Sequence, residues 1–289
     1  MINQNQENKL FKFLLIIAFV TNNKENNYLH NKRIYNLQIP VINSSTLKIF
    51  IMAHKDFYNI RYNPIYNIVV DDKSQLKNKY NLNIIYANDG KLYNMKRAYG
   101  EMSKLYYIYQ LYKNGTITSK YIGLNHYRRY FKFGDNIPLL DDIFSKYEVI
   151  LNKQVYIKRN IKSQYCKEHI CKNFYEIMNI IKRFKPEYFN TSIKVCKMRK
   201  EYFNNIFIMR KEDFFKYCEF VFDILFEFDK NNNFKSDLDV LNYTKKIYSN
   251  SNDYYLQSRM QGYLAERISN IFFNHYFKKI KTFDVEFIN

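Results

Sequence analysis

Tyr121–Phe131, with the sequence YIGLNHYRRYF, decides the fold prediction for this chain. The stretch begins as a short apolar run, typical of a buried β-strand, and passes directly into His126, Tyr127, Arg128 and Arg129. In an α/β sheet, ligands bind in the crevice beyond the carboxyl ends of the strands. Cations placed there indicate an anionic small-molecule ligand, and a phosphorylated one fits because guanidinium forks match phosphate oxygens.

Composition indicates a globular protein with a basic surface. The 289 residues are 47% hydrophobic and 19% aromatic, and 46 Lys and Arg against 27 Asp and Glu give a net charge of +19. Such a charge suits nucleic acid, an anionic membrane surface or phosphorylated substrates. The chain is also rich in Lys, Asn, Ile, Tyr and Phe, as an A/T-rich coding sequence imposes. Its cations are scattered and no nucleic-acid-binding motif stands out, so nucleic acid is not expected as the main partner.

Residues 1–46 are interpreted as an N-terminal extension. Within them, Phe13–Val20 is apolar but too short for a transmembrane helix, which needs about 20 residues. No A-x-A-like cleavage site follows it, as a signal peptide would require. A peripheral membrane anchor, a packing helix or strand, and a poorly ordered extension all remain open.

The four cysteines show no C-x-x-C spacing of the kind that zinc and thioredoxin-type sites use. We expect free buried thiols in a reducing compartment, in preference to a disulfide between Cys166 and Cys171.

From residue 47 onward, predicted strands and helices alternate. Apolar runs predict strands at Leu47–Ala53, Ile68–Val70, Asn83–Tyr86, Tyr121–Leu124, Val149–Leu151 and Asn205–Met209. Helical periodicity predicts helices at Met95–Tyr112, Phe174–Phe184, Lys211–Asp229 and about Tyr254–Phe273. Alternation of this kind predicts one α/β domain over residues 47–289, with a mainly parallel, Rossmann-like sheet flanked by helices.

Three groups of residues suggest chemistry, each beside a plainer alternative. His54 and Asp56 follow the first strand, where an Asp can accept from a ribose hydroxyl; the alternative is a solvated loop. Arg128 and Arg129 suit a diphosphate; the alternative is a surface cation pair near Asp141 and Asp142. Glu101 lies on an aromatic-rich helix and could bind a sugar hydroxyl or act as a base, or could belong to a solvated face.

No metal site is firmly predicted. Asp237-Leu238-Asp239 has the letters of an Asp-x-Asp pair but lies in an Asn-rich loop, and Asp71-Asp72 lacks the spacer. We interpret both as incidental, while Mg²⁺ or Mn²⁺ stays open as a cofactor. The motifs of dinucleotide oxidoreductases, P-loop enzymes, α/β-hydrolases and zincins are absent from the sequence.

Six blocks occur in one order over roughly Leu47 to Phe277, and together they resemble a family of proteins. They are KIFIMAHKDF (48–57), NMKRAYGEMSKLYYIYQLYKNG (94–115), YIGLNHYRRYF (121–131), QYCKEHI (164–170), NNIFIMRKEDFFKYCEFVFDILFE (204–227) and RMQGYLAERI (259–268). The family resembled is a bacterial group of capsular-polysaccharide and O-antigen glycosyltransferases, long catalogued as a domain of unknown function.

The resemblance implies a GT-A-like fold, a nucleotide-sugar donor, and a glycan or lipid-linked acceptor. It also implies a location in the cytoplasm, with peripheral association at the inner face of the cell membrane. The family's motif residues fall on His54, Asp56, Asn94, Glu101, Gly123, His126, Tyr127, Arg128, Arg129, His169, Asn205, Gly262, Glu266 and Arg267. Asn125 departs from the pattern, which has a small residue or Cys at that position.

We therefore expect a hexosyltransferase. Glu101 and His126 are the candidate catalytic residues. Donor binding is assigned to His54, Asp56, Asn94, Tyr127, Arg128 and Arg129. Acceptor binding or support is assigned to His169, Asn205, Glu266 and Arg267. The alternative function is a non-enzymatic basic protein that binds anionic glycans or nucleic acid.

Overall fold

The strand that the sequence singles out lies in the middle of a large sheet. The computed structural model describes residues 46–57, 64–76, 82–133, 137–249 and 253–288. The predicted extension over residues 1–46, with its apolar run Phe13–Val20, lies outside the described residues except for Thr46, which belongs to a turn.

Nine of the strands within the described residues form this sheet. They are β1 (Leu47–Met52), β2 (Tyr66–Val70), β3 (Asn83–Tyr86), β4 (Tyr121–His126), β5 (Arg129–Phe131), β6 (Val149–Asn152), β9 (Phe207–Arg210), β10 (Ile280–Phe283) and β11 (Val285–Phe287). A separate pair is formed by β7 (Val155–Tyr156) and β8 (Lys200–Glu201).

The main path of the sheet runs β10-β6-β9-β4-β1-β2-β3. Strands β1 to β4 pair in parallel, whereas β9 is antiparallel to β4 and to β6. Because β9 is antiparallel to both of its neighbours, β4 and β6 run in the same direction. The carboxyl ends of β1, β2, β4 and β6 therefore meet at one edge of the sheet.

Gly123 lies at the centre of β4, where neighbouring strands approach closely. A Cβ atom there would lie 2.8 Å from Ile49 Cγ1 on one side and 3.2 Å from Ile208 Cγ1 on the other. Only glycine fits this position without displacing a branched side chain, which explains its place in the motif.

Helices flank this sheet. They are α1 (Lys96–Tyr99), α2 (Glu101–Lys113), α3 (Leu140–Phe144), α4 (Ile161–Glu168), α5 (Cys171–Phe184), α6 (Pro186–Cys196), α7 (Lys211–Asn232), α8 (Asp237–Ile247), α9 (Asp253–Gln257) and α10 (Met260–Tyr276). The mainly parallel α/β sheet flanked by helices confirms the predicted fold class. Within the described residues, no helix combines the length and the apolarity that crossing a bilayer demands.

The helix predicted over Met95–Tyr112 is divided in two by Gly100. A short 3₁₀ turn at Tyr93–Met95 leads into α1, and α2 begins at Glu101. Gly100 has φ 58° and ψ −126°, a conformation that glycine adopts at no steric cost. The break matters because it sets Glu101 at the first position of a new helix.

The expectation of free thiols is wrong for half of the cysteines. Cys166 and Cys171 form a disulfide, since the chain turns between α4 and α5 and brings the two Cα atoms to 4.2 Å. Cys196 and Cys218 are free and buried, as expected.

Candidate active site

A cavity of about 290 Å³, termed the main cleft, opens at the carboxyl ends of β1, β2 and β4. The main cleft is lined by Met52, Ala53, His54, Asp71, Lys96, Arg97, Gly100, Glu101, Lys104, His126, Asp237 and Arg259. Its position at a sheet edge is the one where open α/β sheets bind ligands.

Glu101 enters the cleft from the first turn of α2. Its Oε1 accepts a hydrogen bond of 2.9 Å from Asn205 Nδ2. Burial raises the pKa of Glu101 to about 7, and nearby Glu266 adds to the rise, while the Asn205 bond and the charges of Arg259 and Lys104 oppose it. A carboxyl group with a pKa near neutrality is suited to taking up a proton and releasing it again.

The pKa values of both histidines of the cleft are lowered, which favours the neutral imidazole. Burial lowers the pKa of His126 to about 3, and the positive charges of Arg129, Arg128 and Arg259 lower it further. The pKa of His54 is also lowered, by burial first and then by Lys104, Arg259, Lys55 and Arg128. Neutral imidazoles surrounded by cations leave the region with an excess of positive charge, which favours an anionic ligand.

Lys104 and Asp71 form an ion pair of 2.9 Å on the wall of the main cleft. Both side chains are buried, and Gln75 Nε2 donates a further hydrogen bond of 3.1 Å to Asp71. Removing one partner of such a pair costs about 3–5 kcal/mol because the other is left buried and uncompensated. The pair connects the end of β2 to helix α2, which gives Asp71 a structural role.

Arg259 leaves its hydrogen-bond donors open to a ligand in the main cleft. It lies just before α10, and a Cβ atom added to Gly100 would be 3.4 Å from its Nη2. Within the described part of the chain, its guanidinium takes part in no hydrogen bond or ion pair, and its Cζ lies 5.9 Å from the centre of the Tyr263 ring. Its donors are consequently available to a ligand.

Asp237 also lines the cleft, but both of its carboxylate oxygens are in use. They accept from the backbone N–H groups of Arg97 at 3.0 Å and Ala98 at 2.8 Å, at the start of α1. Asp239 completes a capping box with Ser236. Both carboxylates of the Asp-x-Asp sequence therefore stabilise helix ends.

A smaller cavity of about 130 Å³ adjoins the main cleft and shares Gly100, Glu101, His126 and Arg259 with it. Its remaining lining residues are Tyr99, Asn204, Gly262, Tyr263 and Glu266. Gly262 allows α10 to approach α1, because a Cβ atom there would lie 3.2 Å from the Tyr99 carbonyl oxygen.

Several predicted site residues lie behind these cavities and support them. His169 stacks on the Tyr263 ring at 4.1 Å and bonds Gln257 at 3.1 Å. Arg267 is buried and forms ion pairs with Glu266 at 2.8 Å and Glu201 at 3.6 Å.

Arg128 and Arg129 do not line the main cleft. Arg129 borders a different cavity, and its Cζ lies 5.3 Å from the Phe287 ring. Arg128 packs on Tyr127 and Phe287, and its Nε is buried without a hydrogen-bond partner among the described residues. The alternative was a surface pair of arginines near Asp141 and Asp142. In the structure, Asp141 instead pairs with Lys120 at 2.6 Å.

The other residues predicted to bind a donor are dispersed. His54 lies in the main cleft and meets Tyr127 edge-on at 4.9 Å, so the buried Tyr127 positions the imidazole. Asp56 is half-buried just beyond β1, and Asn94 is exposed on the 3₁₀ turn. Neither Asp56 nor Asn94 lines the main cleft or the smaller cavity beside it.

The carboxylates do not fit a metal site. Asp71 is paired with Lys104, and Asp237 is occupied by backbone N–H groups. Over the described ranges, no group of three or more His, Cys, Asp and Glu side chains lies together as metal ligands would.

The chain belongs to the family described as domain of unknown function DUF4422, whose model matches residues 48–279. Among solved structures, it is similar to the bifunctional glycosyltransferase WbbM in its apo form, with a TM-score of 0.62 and 19% sequence identity. That similarity covers 84% of this chain and 45% of WbbM, so the chain spans less than half of its relative. The similarity in structure confirms the predicted GT-A-like fold. No curated protein matches the chain.

The sequence patterns assign no role to several charged residues of the main cleft, among them Arg259, Lys104 and Asp71. Arg259 begins one of the six blocks, and Asp71 follows a predicted strand, so both carried a positional signal. Lys104 carried none, because its neighbours in the sequence are those of an ordinary amphipathic helix.

Proposed function

We propose that this protein is a glycosyltransferase that moves a hexose from a nucleotide-diphosphate sugar to a hydroxyl of a glycan or lipid-linked acceptor. The observation that carries the proposal is the joint presence of Glu101, with its pKa of about 7, and the Arg259 guanidinium in one cleft at the strand ends. The similarity in fold to a glycosyltransferase supports the reaction class. Surface-polysaccharide synthesis, for a capsule or an O-antigen, at the cytoplasmic side of the membrane is the context we propose.

In the proposed reaction, the acceptor oxygen bonds to the anomeric carbon as the bond from that carbon to the diphosphate breaks. The electron pair leaves with the nucleoside diphosphate, and the acceptor proton passes to the Glu101 carboxylate. His126 is too weak a base for this step, with its pKa of about 3, so we assign it to hydrogen bonding as a neutral imidazole.

Positive charge stabilises the leaving diphosphate in this scheme. Arg259 can donate two parallel hydrogen bonds to phosphate oxygens, whereas the charge of Lys104 on the wall of the cleft is offset by Asp71. Arg128 stays a candidate for the same role, because its charge reaches both His54 and His126. We assign the nucleoside to His54 and Asp56, beyond the first strand.

Thermal-shift measurements of the purified protein against a panel of nucleotide sugars test the donor assignment. We expect stabilisation by at least one nucleotide sugar, and repeating the panel with Mg²⁺, Mn²⁺ or a chelator tests the role of a divalent ion. No stabilisation by any member, together with no release of nucleoside diphosphate, would contradict the proposal.

The alternative, a binder of anionic polymers, predicts cations spread over one open face. Concentration of Arg259, Lys104, Lys96 and Arg97 around one cleft supports the enzyme instead. A filter-binding titration against salt separates the two: tight, steeply salt-dependent binding of DNA or RNA without nucleotide-sugar hydrolysis would favour the binder.

A further inference from the structure

A second cavity of about 280 Å³ opens at the carboxyl end of β6, on the same edge of the sheet as the main cleft. It is lined by Arg129, Asn152, Lys153, Gln154, Val155, Asn204, Asp284, Val285 and Phe287. Its volume is near the roughly 300 Å³ at which small-molecule sites begin. The strand pair β5 and β11 forms one wall, with Arg129 opposite Phe287 in register.

Asn152 provides the clearest sign that the second cavity suits a polar ligand. The residue is 5% exposed, and its Oδ1 has no hydrogen-bond partner within the described part of the chain. A buried amide oxygen without a partner costs about 1–3 kcal/mol. Asn152 lines the cavity, so a rotation of its side chain on binding would bring this oxygen to a ligand hydroxyl or N–H group.

Phe287 and Arg129 supply the two other kinds of contact. The Phe287 side chain is 52% exposed at the cavity, and the Arg129 guanidinium lies beside its ring. A pyranose ring combines an apolar face of C–H groups with a rim of hydroxyls. The apolar face packs on an aromatic ring, and the rim accepts hydrogen bonds from a guanidinium and donates them to an amide oxygen.

Asn204 connects the second cavity to the proposed reaction centre. It borders the second cavity and also the small cavity that contains Glu101 and His126. Asn204 and Asn205 adopt positive φ angles of 67° and 47° in succession, and Asn205 holds Glu101. Consecutive left-handed residues are costly for the backbone and tend to occur at functional sites.

We infer that the second cavity binds a pyranose unit of the acceptor glycan. This inference rests on the proposed glycosyltransferase function and adds to it the chemical class and the location of the acceptor. Asn152 accepts from a hydroxyl, Phe287 supports the sugar ring, and Arg129 donates to a hydroxyl or to a carboxylate on the sugar. The acceptor hydroxyl then points past Asn204 toward Glu101.

Saturation-transfer difference NMR on the full chain tests the inference without turnover. The probes are the methyl pyranosides of glucose, galactose, mannose and glucuronic acid. We expect at least one to bind, and Phe287→Ala to weaken its Kd roughly tenfold, with a similar loss for Asn152→Ala. Phe287 is exposed, so its replacement keeps the test valid if Asn152→Ala disturbs folding.

Tyr156→Ala is the matched control, because Tyr156 is an exposed aromatic residue of neighbouring β7 that does not line the cavity. It should leave pyranoside binding unchanged. Comparing the neutral pyranosides with the glucuronide in Arg129→Ala separates hydroxyl from carboxylate recognition. A larger loss for the glucuronide assigns Arg129 to a carboxylate, and equal losses assign it to hydroxyls.

Absence of binding by every pyranoside, or equal binding by wild type, Phe287→Ala and Asn152→Ala, would overturn the inference. Nucleotide-sugar binding measured by calorimetry on the same samples separates this failure from that of the proposed function. A protein that binds nucleotide sugars but shows no variant effect on pyranosides retains the function and loses this acceptor site.

Discussion

The main cleft and the second cavity lie on one edge of the sheet but are built differently. In the main cleft, charges are fixed by one another: Asp71 holds Lys104, and Asp237 holds the start of α1. In the second cavity, a buried neutral amide and an exposed aromatic ring lie beside Arg129 and an exposed Lys153–Asp284 ion pair. Fixed charges are the arrangement that stabilises a transition state, whereas neutral and aromatic groups suit recognition of a variable partner. The following predictions test that division.

The largest effect is expected for Glu101→Gln. The amide keeps the shape of the side chain but cannot accept the acceptor proton, so transfer should fall by about 10²–10⁴-fold. Nucleotide-sugar affinity, measured by calorimetry, should change little. Glu212→Gln is the matched control, since Glu212 is exposed on α7 and lines none of the three cavities. Full activity in Glu101→Gln would remove the base from the scheme.

Arg259→Ala and Arg129→Ala should each weaken the binding of a different ligand. Loss of charge-assisted hydrogen bonds to the diphosphate should raise the Kd for nucleotide sugar roughly 10- to 100-fold in Arg259→Ala. Arg129→Ala should leave that Kd nearly unchanged and weaken pyranoside binding. Calorimetry with the nucleotide sugar that gives the largest thermal shift measures this Kd for both variants. Arg183→Ala, at an exposed position, is the control.

The double variant Arg128→Ala with Arg129→Ala decides between two arrangements of the donor site. The sequence predicts that it abolishes donor binding while the circular-dichroism spectrum is unchanged. If Arg259→Ala weakens donor binding more than the double variant does, the diphosphate lies in the main cleft. The reverse order would place it beside β5.

The pH dependence of activity should report Glu101. Because the base acts as the carboxylate and its pKa is about 7, kcat/KM should rise with pH and level off above that value. Steady-state rates over a series of buffers at constant ionic strength check this expectation. A profile that is flat through neutrality would contradict the assignment.

The last prediction concerns the stability of the fold and not activity. The pKa of Glu101 is raised from 4.5 to about 7 in the folded protein, so folding favours the protonated form. The resulting stabilisation is complete below 4.5 and is lost as the pH rises through 7. Glu101→Gln should therefore be more stable than wild type above pH 7, by up to about 3 kcal/mol, and similar to it below 4.5. Urea titrations at the two extremes of pH measure the difference.

Most of the sheet could be predicted from the sequence, because buried parallel strands are continuous apolar runs. The strand predicted at Leu47–Ala53 is found at Leu47–Met52. The strand predicted at Asn83–Tyr86 has the same bounds in the structure. The strands Ile280–Phe283 and Val285–Phe287 were not predicted. Their residues are half-buried and partly polar, and the pairing partner of each strand lies more than a hundred residues away.

The candidate site was predictable where a residue follows a strand, as His54 and His126 do. It was not predictable where helices converge, since Arg259 and Lys104 reach the cleft from α10 and α2 through packing that no local pattern encodes. The disulfide between Cys166 and Cys171 was weighed but not expected, because the turn that brings the two Cα atoms to 4.2 Å between α4 and α5 is not encoded in the spacing of the cysteines.

The close approach of Gly262 to the Tyr99 carbonyl has a mechanical consequence. Helix α10 carries Tyr263 and Glu266 and is preceded directly by Arg259, so this one helix positions three side chains of the smaller cavity. A methyl group added at position 262 would lie 3.2 Å from the Tyr99 carbonyl oxygen. Because backbone moves less readily than a side chain, this contact would push α10 away from α1. The close approach of Gly262 to Tyr99 therefore sets both the spacing of the two helices and the positions of the side chains that line the smaller cavity.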